Sequence, residues 1–194
     1  MKQSLLFLVM LWMGIQGVQA QDFAEIRLAQ VGGDSVSMDD FKDSSAVVLI
    51  FSGVHCVYSK KYEARILETI QAYQGKGVAF LMVNSNDPKV SPEDSFDRMV
   101  AHAQEQSYSF PYLADPVQAL ANAVEARKNP EAFVFAHDGQ AFQPIYAGAL
   151  DDNPLMATAV KSNYLKMAID HVLAGKREAL PNQTVKGCYI KHMD

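Results

Sequence analysis

The sequence predicts an α/β protein built on a mixed central sheet with helices on both faces. Three observations carry that prediction. Segments 46–51 and 78–83 are short, unbroken apolar runs rich in β-branched residues, the pattern of strands buried on both faces. Amphipathic stretches at helical spacing separate the runs, the alternation that parallel crossovers require. Near the end, segments 132–136 and 145–148 flank the turn residues His137, Asp138 and Gly139, which predicts an antiparallel hairpin at one sheet edge.

The composition fits such a fold. With 194 residues, 49% of them hydrophobic and 20% charged, the chain resembles one globular domain able to bury a full core. Long disorder, collagen-like sequence and a multi-span membrane protein are excluded on the same grounds. The net charge is −5 and no run of Lys and Arg is present, so nucleic acid is not an expected partner.

Residues 1–20 are set aside before the elements are read. A lone Lys2 precedes an apolar run at 5–15 and a short polar stretch ending at Ala20, the pattern of a secretory signal peptide cut after Ala20. The run is only about a dozen residues, short of the roughly 20 that span a bilayer. The expected mature domain is therefore 21–194, periplasmic or secreted, with no membrane association after cleavage. That compartment permits a disulfide, and both cysteines of the chain survive the cut.

Residues 26–31 predict a weak first strand, and 37–41 a capped short helix. After strand 46–51 a long helix runs to Gly75, with Tyr58, Tyr62, Ile66, Ile70 and Tyr73 at helical spacing. Strand 78–83 follows. Ser91, Pro92, Glu93 and Asp94 open the next predicted helix, with the two acids near the positive end of its dipole, and its apolar stripe is Phe96, Met99, Val100 and Ala103. Residues 110–113 predict an extended piece, 116–126 a helix, 159–173 a last amphipathic helix, and 180–194 an irregular tail.

The chemistry-bearing feature is Cys56. It lies between strand 46–51 and the long helix, in Gly53-Val54-His55-Cys56-Val57-Tyr58-Ser59-Lys60. A thiol in the first turn of a helix faces unpaired backbone N–H groups and the positive end of the helix dipole, and both favour the thiolate. The Val57, Tyr58 and Ser59 amides are the expected stabilisers, with His55 and Lys60 adding positive charge. The structural alternative is a cysteine serving as a small buried hydrophobe.

These residues resemble the thioredoxin-like superfamily, specifically a peroxiredoxin-like redoxin branch. The resemblance rests on the strand, the His55-Cys56-x-Tyr58 junction, the long helix and the second strand. It continues through Asn84-Ser85-Asn86-Asp87, Ser91-Pro92-Glu93-Asp94-Ser95-Phe96 and Phe110-Pro111-Tyr112-Leu113-Ala114-Asp115. It ends with Asn129-Pro130-Glu131-Ala132-Phe133-Val134-Phe135 and Gly187-Cys188-Tyr189-Ile190-Lys191. The resemblance implies a three-layer thioredoxin-like fold with an extra helix–strand insertion before the cis-proline strand. It places Cys56 at the first cysteine of a C-x-x-C site and Pro130 at the cis-proline beside it. Ser59 stands where the second cysteine would be, which is also the peroxide-reacting position of T-x-x-C. The local dithiol is thus absent, and ordinary peroxiredoxin activity is not expected. Val57, the Lys128-Asn129 pair and His192 also depart from the family pattern.

The resemblance implies a thiol–disulfide oxidoreductase that acts on protein thiols or disulfides and needs no cofactor. Cys188 is the remaining thiol. Its pairing with Cys56 would be either a permanent structural bridge or a labile one in which Cys188 replaces the missing resolving cysteine. A third arrangement keeps the tail and the site apart. In the chain-entropy model so long a closed loop stabilises a fold by about 5 kcal/mol. Two alternatives remain open: a non-enzymatic binding protein with a structural Cys56–Cys188 disulfide, and Zn or Cu handling through His55, Cys56, Cys188 and His192.

Overall fold

The computed structural model describes residues 23–192. Segment 1–20, expected from the sequence to be a signal peptide, lies outside the described residues. Among those described, no helix is long and apolar enough to cross a membrane.

The sheet is organised around strand β2 (Ala46–Phe51), whose six residues are all buried. On one side β2 pairs in parallel with β3 (Val78–Asn84); on the other it pairs antiparallel with β6 (Glu131–His137). Two short strands, β1 (Ala29–Gln30) and β4 (Tyr112–Ala114), extend the β3 side, and β7 (Phe142–Gly148) closes the β6 side. The order across the sheet is β1-β4-β3-β2-β6-β7. A continuous apolar run is what a strand needs when both of its faces are covered. Ala46, Val48 and Ile50 point into one core, and Val47, Leu49 and Phe51 into the other.

The first core receives helix α1 (Val57–Tyr73) through Tyr62 and Ile66, α2 (Phe96–Glu105) through Met99 and Ala103, and α4 (Tyr164–Leu173) through Leu165 and Ile169. The second receives α3 (Ala119–Ala123) through Leu120 and Ala121, with the N-terminal segment at Ala24 and Ile26. Helices therefore cover both faces, as the sequence predicts. Polar residues terminate β3 at Asn84 and follow β2 at Ser52 and Gly53, so the two central strands release the chain at the same end.

Several boundaries differ from expectation. The first strand shrinks to two residues, with Leu28 bridging to Val36 instead. The helix opened by Ser91 and Pro92 is a single 3-10 turn, Pro92–Asp94, and extended Ser95 restarts the chain as α2. Phe96 consequently lies at the lip of α2 and is 41% exposed, outside the apolar stripe. The helix expected at 116–126 is confined to α3, because Gln118 takes a left-handed conformation at φ 58°. Helix α4 starts at Tyr164, where the Asn163 side chain accepts the amide of Lys166 and caps it. The tail is not wholly irregular, since Cys188–Tyr189 form strand β8 against β5 (Lys128–Asn129).

Ile66 and Phe96 therefore contribute unequally despite similar places in the sequence pattern. Ile66→Ala is expected to lower unfolding free energy by about 2–5 kcal/mol, and Phe96→Ala by less than about 1 kcal/mol. Equal losses in urea denaturation would contradict the placement of α2.

Candidate functional site

The site lies where β2 hands over to α1. Cys56 is the N-cap of α1, in extended backbone conformation, and its carbonyl accepts the amide of Lys60 at 3.0 Å. The Val57, Tyr58 and Ser59 amides form the first turn, where no helical carbonyl is available to accept them. Cys56 is buried, at 6% exposed, and Sγ lies 3.1 Å from the Asn129 carbonyl oxygen.

Cys56 is joined to Cys188 by a disulfide that spans 132 positions of the sequence, with the two Cα atoms 6.0 Å apart. That geometry removes the arrangement in which tail and site never meet. Strand β8 brings Cys188 into place: Cys188 sits opposite Asn129 and Tyr189 opposite Lys128. Gly187 is required at the entrance, because a Cβ there would run into the Asn129 carbonyl. The Asn129–Pro130 peptide is cis, and Pro130 is buried beside the bridge. The residues beyond Cys188 are fastened as well. Ile190 donates to the Arg127 carbonyl, the Asp87 amide donates to the Lys191 carbonyl, and Lys191 Nζ donates to Ser91 Oγ at 3.1 Å.

A buried polar network supports this junction from below. Asp94, 3% exposed, accepts the Val54 amide at 2.6 Å and the Asn84 side-chain amide at 3.1 Å on one oxygen. Its other oxygen accepts Asn86 Nδ2 at 2.9 Å and Ser91 Oγ at 2.7 Å. Asn86 Oδ1 in turn accepts both the Lys191 amide at 2.9 Å and Asn129 Nδ2 at 3.3 Å. One carboxylate thus ties the loop before Cys56 to the turn after β3, and through Asn86 to the tail and the cis-proline strand. Gly53 fits because any Cβ would press on Asn86 Nδ2 at 2.5 Å. A second buried carboxyl, Asp115, accepts Ser85 Oγ and the Ala121 amide, and burial pushes its pKa above the ordinary carboxylate value.

The sequence-derived candidates occupy four different places. Cys56, Cys188 and Pro130 come together at the bridge. Val57 and Tyr58 occupy the first turn of α1, with Val57 55% exposed and Tyr58 half-buried. His55 and Lys60 are exposed at its margin. Ser59 points inward: its buried Oγ has no hydrogen-bond partner and lines a cavity of about 10 Å³ with Glu63, His102, Tyr108 and Tyr112. The bridge occupies both thiols, and among the described residues no three His, Cys, Asp or Glu side chains are grouped to hold a metal. The site-building roles of Asn84, Asn86, Ser91, Asp94 and Asn129 are not marked by the sequence motifs. The available signal was a cluster of Asn, Ser and Asp immediately after a fully apolar strand, where buried polar groups must find partners.

These features define a thioredoxin-like redoxin. The chain belongs to the AhpC/TSA family, whose model matches residues 17–141. Cys56 lies inside the matched stretch and Cys188 beyond it. A hypothetical protein from Sinorhizobium meliloti is 30% identical, the match covering 87% of this chain and 91% of that one, with a TM-score of 0.78. An uncharacterized conserved protein from Geobacillus kaustophilus is 32% identical over 87% of this chain and 88% of its own, with a TM-score of 0.79. At the level of fold alone, the chain also resembles a secreted Mycobacterium tuberculosis disulfide oxidoreductase homologous to DsbE of E. coli. There the identity is 12%, the coverage 79% and 97%, and the TM-score 0.54. No curated protein matches the sequence.

Asp94→Ala leaves four donors without their acceptor inside the molecule. Urea denaturation of the oxidised protein is expected to show a loss of at least about 2 kcal/mol. A loss below about 0.5 kcal/mol would mean that the network does not hold the junction together.

Proposed function

We propose that the chain is an exported thiol–disulfide oxidoreductase in which Cys56 is the nucleophile and Cys188 the resolving thiol. The observation that carries this reading is the Cys56–Cys188 disulfide at the first turn of α1. A cysteine bonded at that place supplies the redox pair that the C-x-x-C position lacks, since Ser59 has no sulfur to contribute.

In the reduced chain the Cys56 thiolate attacks one sulfur of a client disulfide. The client S–S bond breaks, and one client cysteine leaves as a thiolate that takes up a proton. A mixed disulfide joins Cys56 to the other client sulfur. The Cys188 thiolate then attacks Cys56 Sγ, the second client thiol departs, and the chain ends with the Cys56–Cys188 bridge. Two electrons pass to the client, and the reverse sequence oxidises a client dithiol. The Val57–Ser59 amides favour the attacking thiolate, His55 and Lys60 add positive charge at the margin, and Pro130 shapes the client contact. Serine at position 59 offers no thiolate to a peroxide, so ordinary peroxiredoxin turnover is not part of the proposal. No cofactor is needed. Export rests on segment 1–20, and N-terminal sequencing of the mature protein is expected to begin at Gln21.

One observation favours a second reading, a binding protein with a structural staple. Cys56 is almost fully buried in the oxidised state, and hydrogen bonds fasten the tail on both sides of Cys188. A reduction potential below about −300 mV would suit the staple, and a distinctly higher one the exchange reaction.

Cys56→Ser is expected to abolish reduction of a protein disulfide by the reduced chain while leaving the fold intact. Cys188→Ser is expected to retain attack and accumulate a mixed disulfide, visible by mass under non-reducing conditions. Undiminished activity of Cys56→Ser would overturn the mechanism.

A further inference from the structure

The chain as a whole is acidic, with a net charge of −5. The surface around the disulfide has the opposite character. Segments 54–61, 125–131 and 185–192 meet at the bridge, through the start of α1, strand β5 and strand β8. Together they carry Lys60, Lys61, Arg127, Lys128, Lys186 and Lys191 against only Glu125 and Glu131. Glu131 is turned back on the chain, where its carboxylate accepts the Arg127 and Lys128 amides at 2.8 and 2.9 Å. Lys191 likewise turns inward, its Nζ donating to Ser91 Oγ, and the adjoining turn after β3 adds Lys89 against Asp87, Glu93 and the buried Asp94, which lowers the excess without reversing it. No two of the three segments are neighbours in sequence, so folding alone gathers these cations.

Exposed apolar side chains accompany these cations. Val57 and Tyr189, each following one cysteine of the bridge in the chain, are 55% and 71% exposed. Val117, 79% exposed, adjoins Gln118, whose side chain donates to the Lys191 carbonyl at 3.0 Å. Lys128 Nζ sits 4.9 Å from the centre of the Tyr189 ring and donates to the Val185 carbonyl, which holds the ring and one cation of the rim together. Single exposed apolar residues are ordinary on any protein surface. Val57 and Tyr189 at the bridge, with Val117 linked to the tail through Gln118 and an excess of positive charge around them, make an apolar centre with a steering rim.

We infer that this face docks an acidic protein, one whose reactive disulfide or dithiol is flanked by Asp and Glu side chains. The inference rests on the exchange reaction proposed above and adds the charge of its partner. The apolar centre contacts the chain around the partner's cysteine, and the rim raises the rate of encounter. That gain shrinks as salt screens the rim.

Two short peptides test the inference, each with one cysteine flanked on both sides by glutamates or by lysines, and each oxidised to its disulfide dimer. The reduced chain attacks a dimer through Cys56, Cys188 resolves the mixed disulfide, and two peptide thiols are released for each bridge formed. Each rate is divided by the rate at which dithiothreitol reduces the same dimer at high salt, where screening removes the charge effect on that reagent's own thiolate, which cancels the intrinsic reactivity of the peptide. At low ionic strength the acidic dimer is expected to react about tenfold faster than the basic one, and the two to converge at high salt. In the double variant Lys61→Glu/Lys186→Glu, both positions exposed, the acidic preference is expected to fall at least about threefold. Equal rates for the two dimers, or a preference that persists at high salt, would overturn the acidic partner while leaving the exchange reaction standing. If neither dimer is reduced, the exchange reaction itself fails, and the inference fails with it.

Discussion

A single covalent bond ties together the end of this molecule at which β2 hands over to α1. It joins the first turn of α1 to a two-residue strand near the C-terminus, across 132 positions of the chain. Without it, the tail would be held by a β5–β8 ladder only two residues long and by the hydrogen bonds of Ile190 and Lys191, and a pair of strands that short has little stability of its own. With it, the tail is fixed over the cis-proline strand, and Cys56 has a sulfur partner that its own helix does not provide.

The bond alone does not determine the geometry. Asp94 and Asn86 hold the loop before Cys56, the turn after β3, the cis-proline strand and the tail in one hydrogen-bonded unit. A buried carboxylate is tolerable there because it accepts four hydrogen bonds, which offsets the loss of its water. The consequence is a site whose backbone is fixed from beneath while its rim remains exposed. Rigid support and an accessible edge are what attack on an outside disulfide requires, since the attacking sulfur must be aligned with the bond it breaks.

Much of this was legible in the residues. The unbroken apolar run of β2 specified a strand covered on both faces, and the spacing of Tyr62, Ile66 and Tyr73 specified the face that α1 buries. Cys56 stood out because a strand–cysteine–helix order places a thiol at unpaired amides. The tail was legible only as a set of alternatives, because pairing across 132 positions depends on tertiary contacts that no local pattern encodes. The helix boundaries at Ser95 and Gln118 were missed for a related reason. Ser95 and Gln118 adopt backbone conformations set by the turns they join, against a periodicity that favoured longer helices. Asp94 read as a helix-opening acid beside Pro92 and Glu93. Its role as a buried acceptor emerges only when the loop after β2 folds over it. The basic rim was invisible for the simplest reason: its cations are scattered through a chain of opposite net charge.

The most direct measurement of the central claim is the intact mass of the protein after equilibration with oxidised glutathione, followed by peptide mapping without reductant. The expected species is lighter than the fully reduced chain by two hydrogens, with the Cys56 peptide linked to the Cys188 peptide and no free thiol. Two glutathione adducts, two free thiols or a disulfide-linked dimer of chains would contradict it.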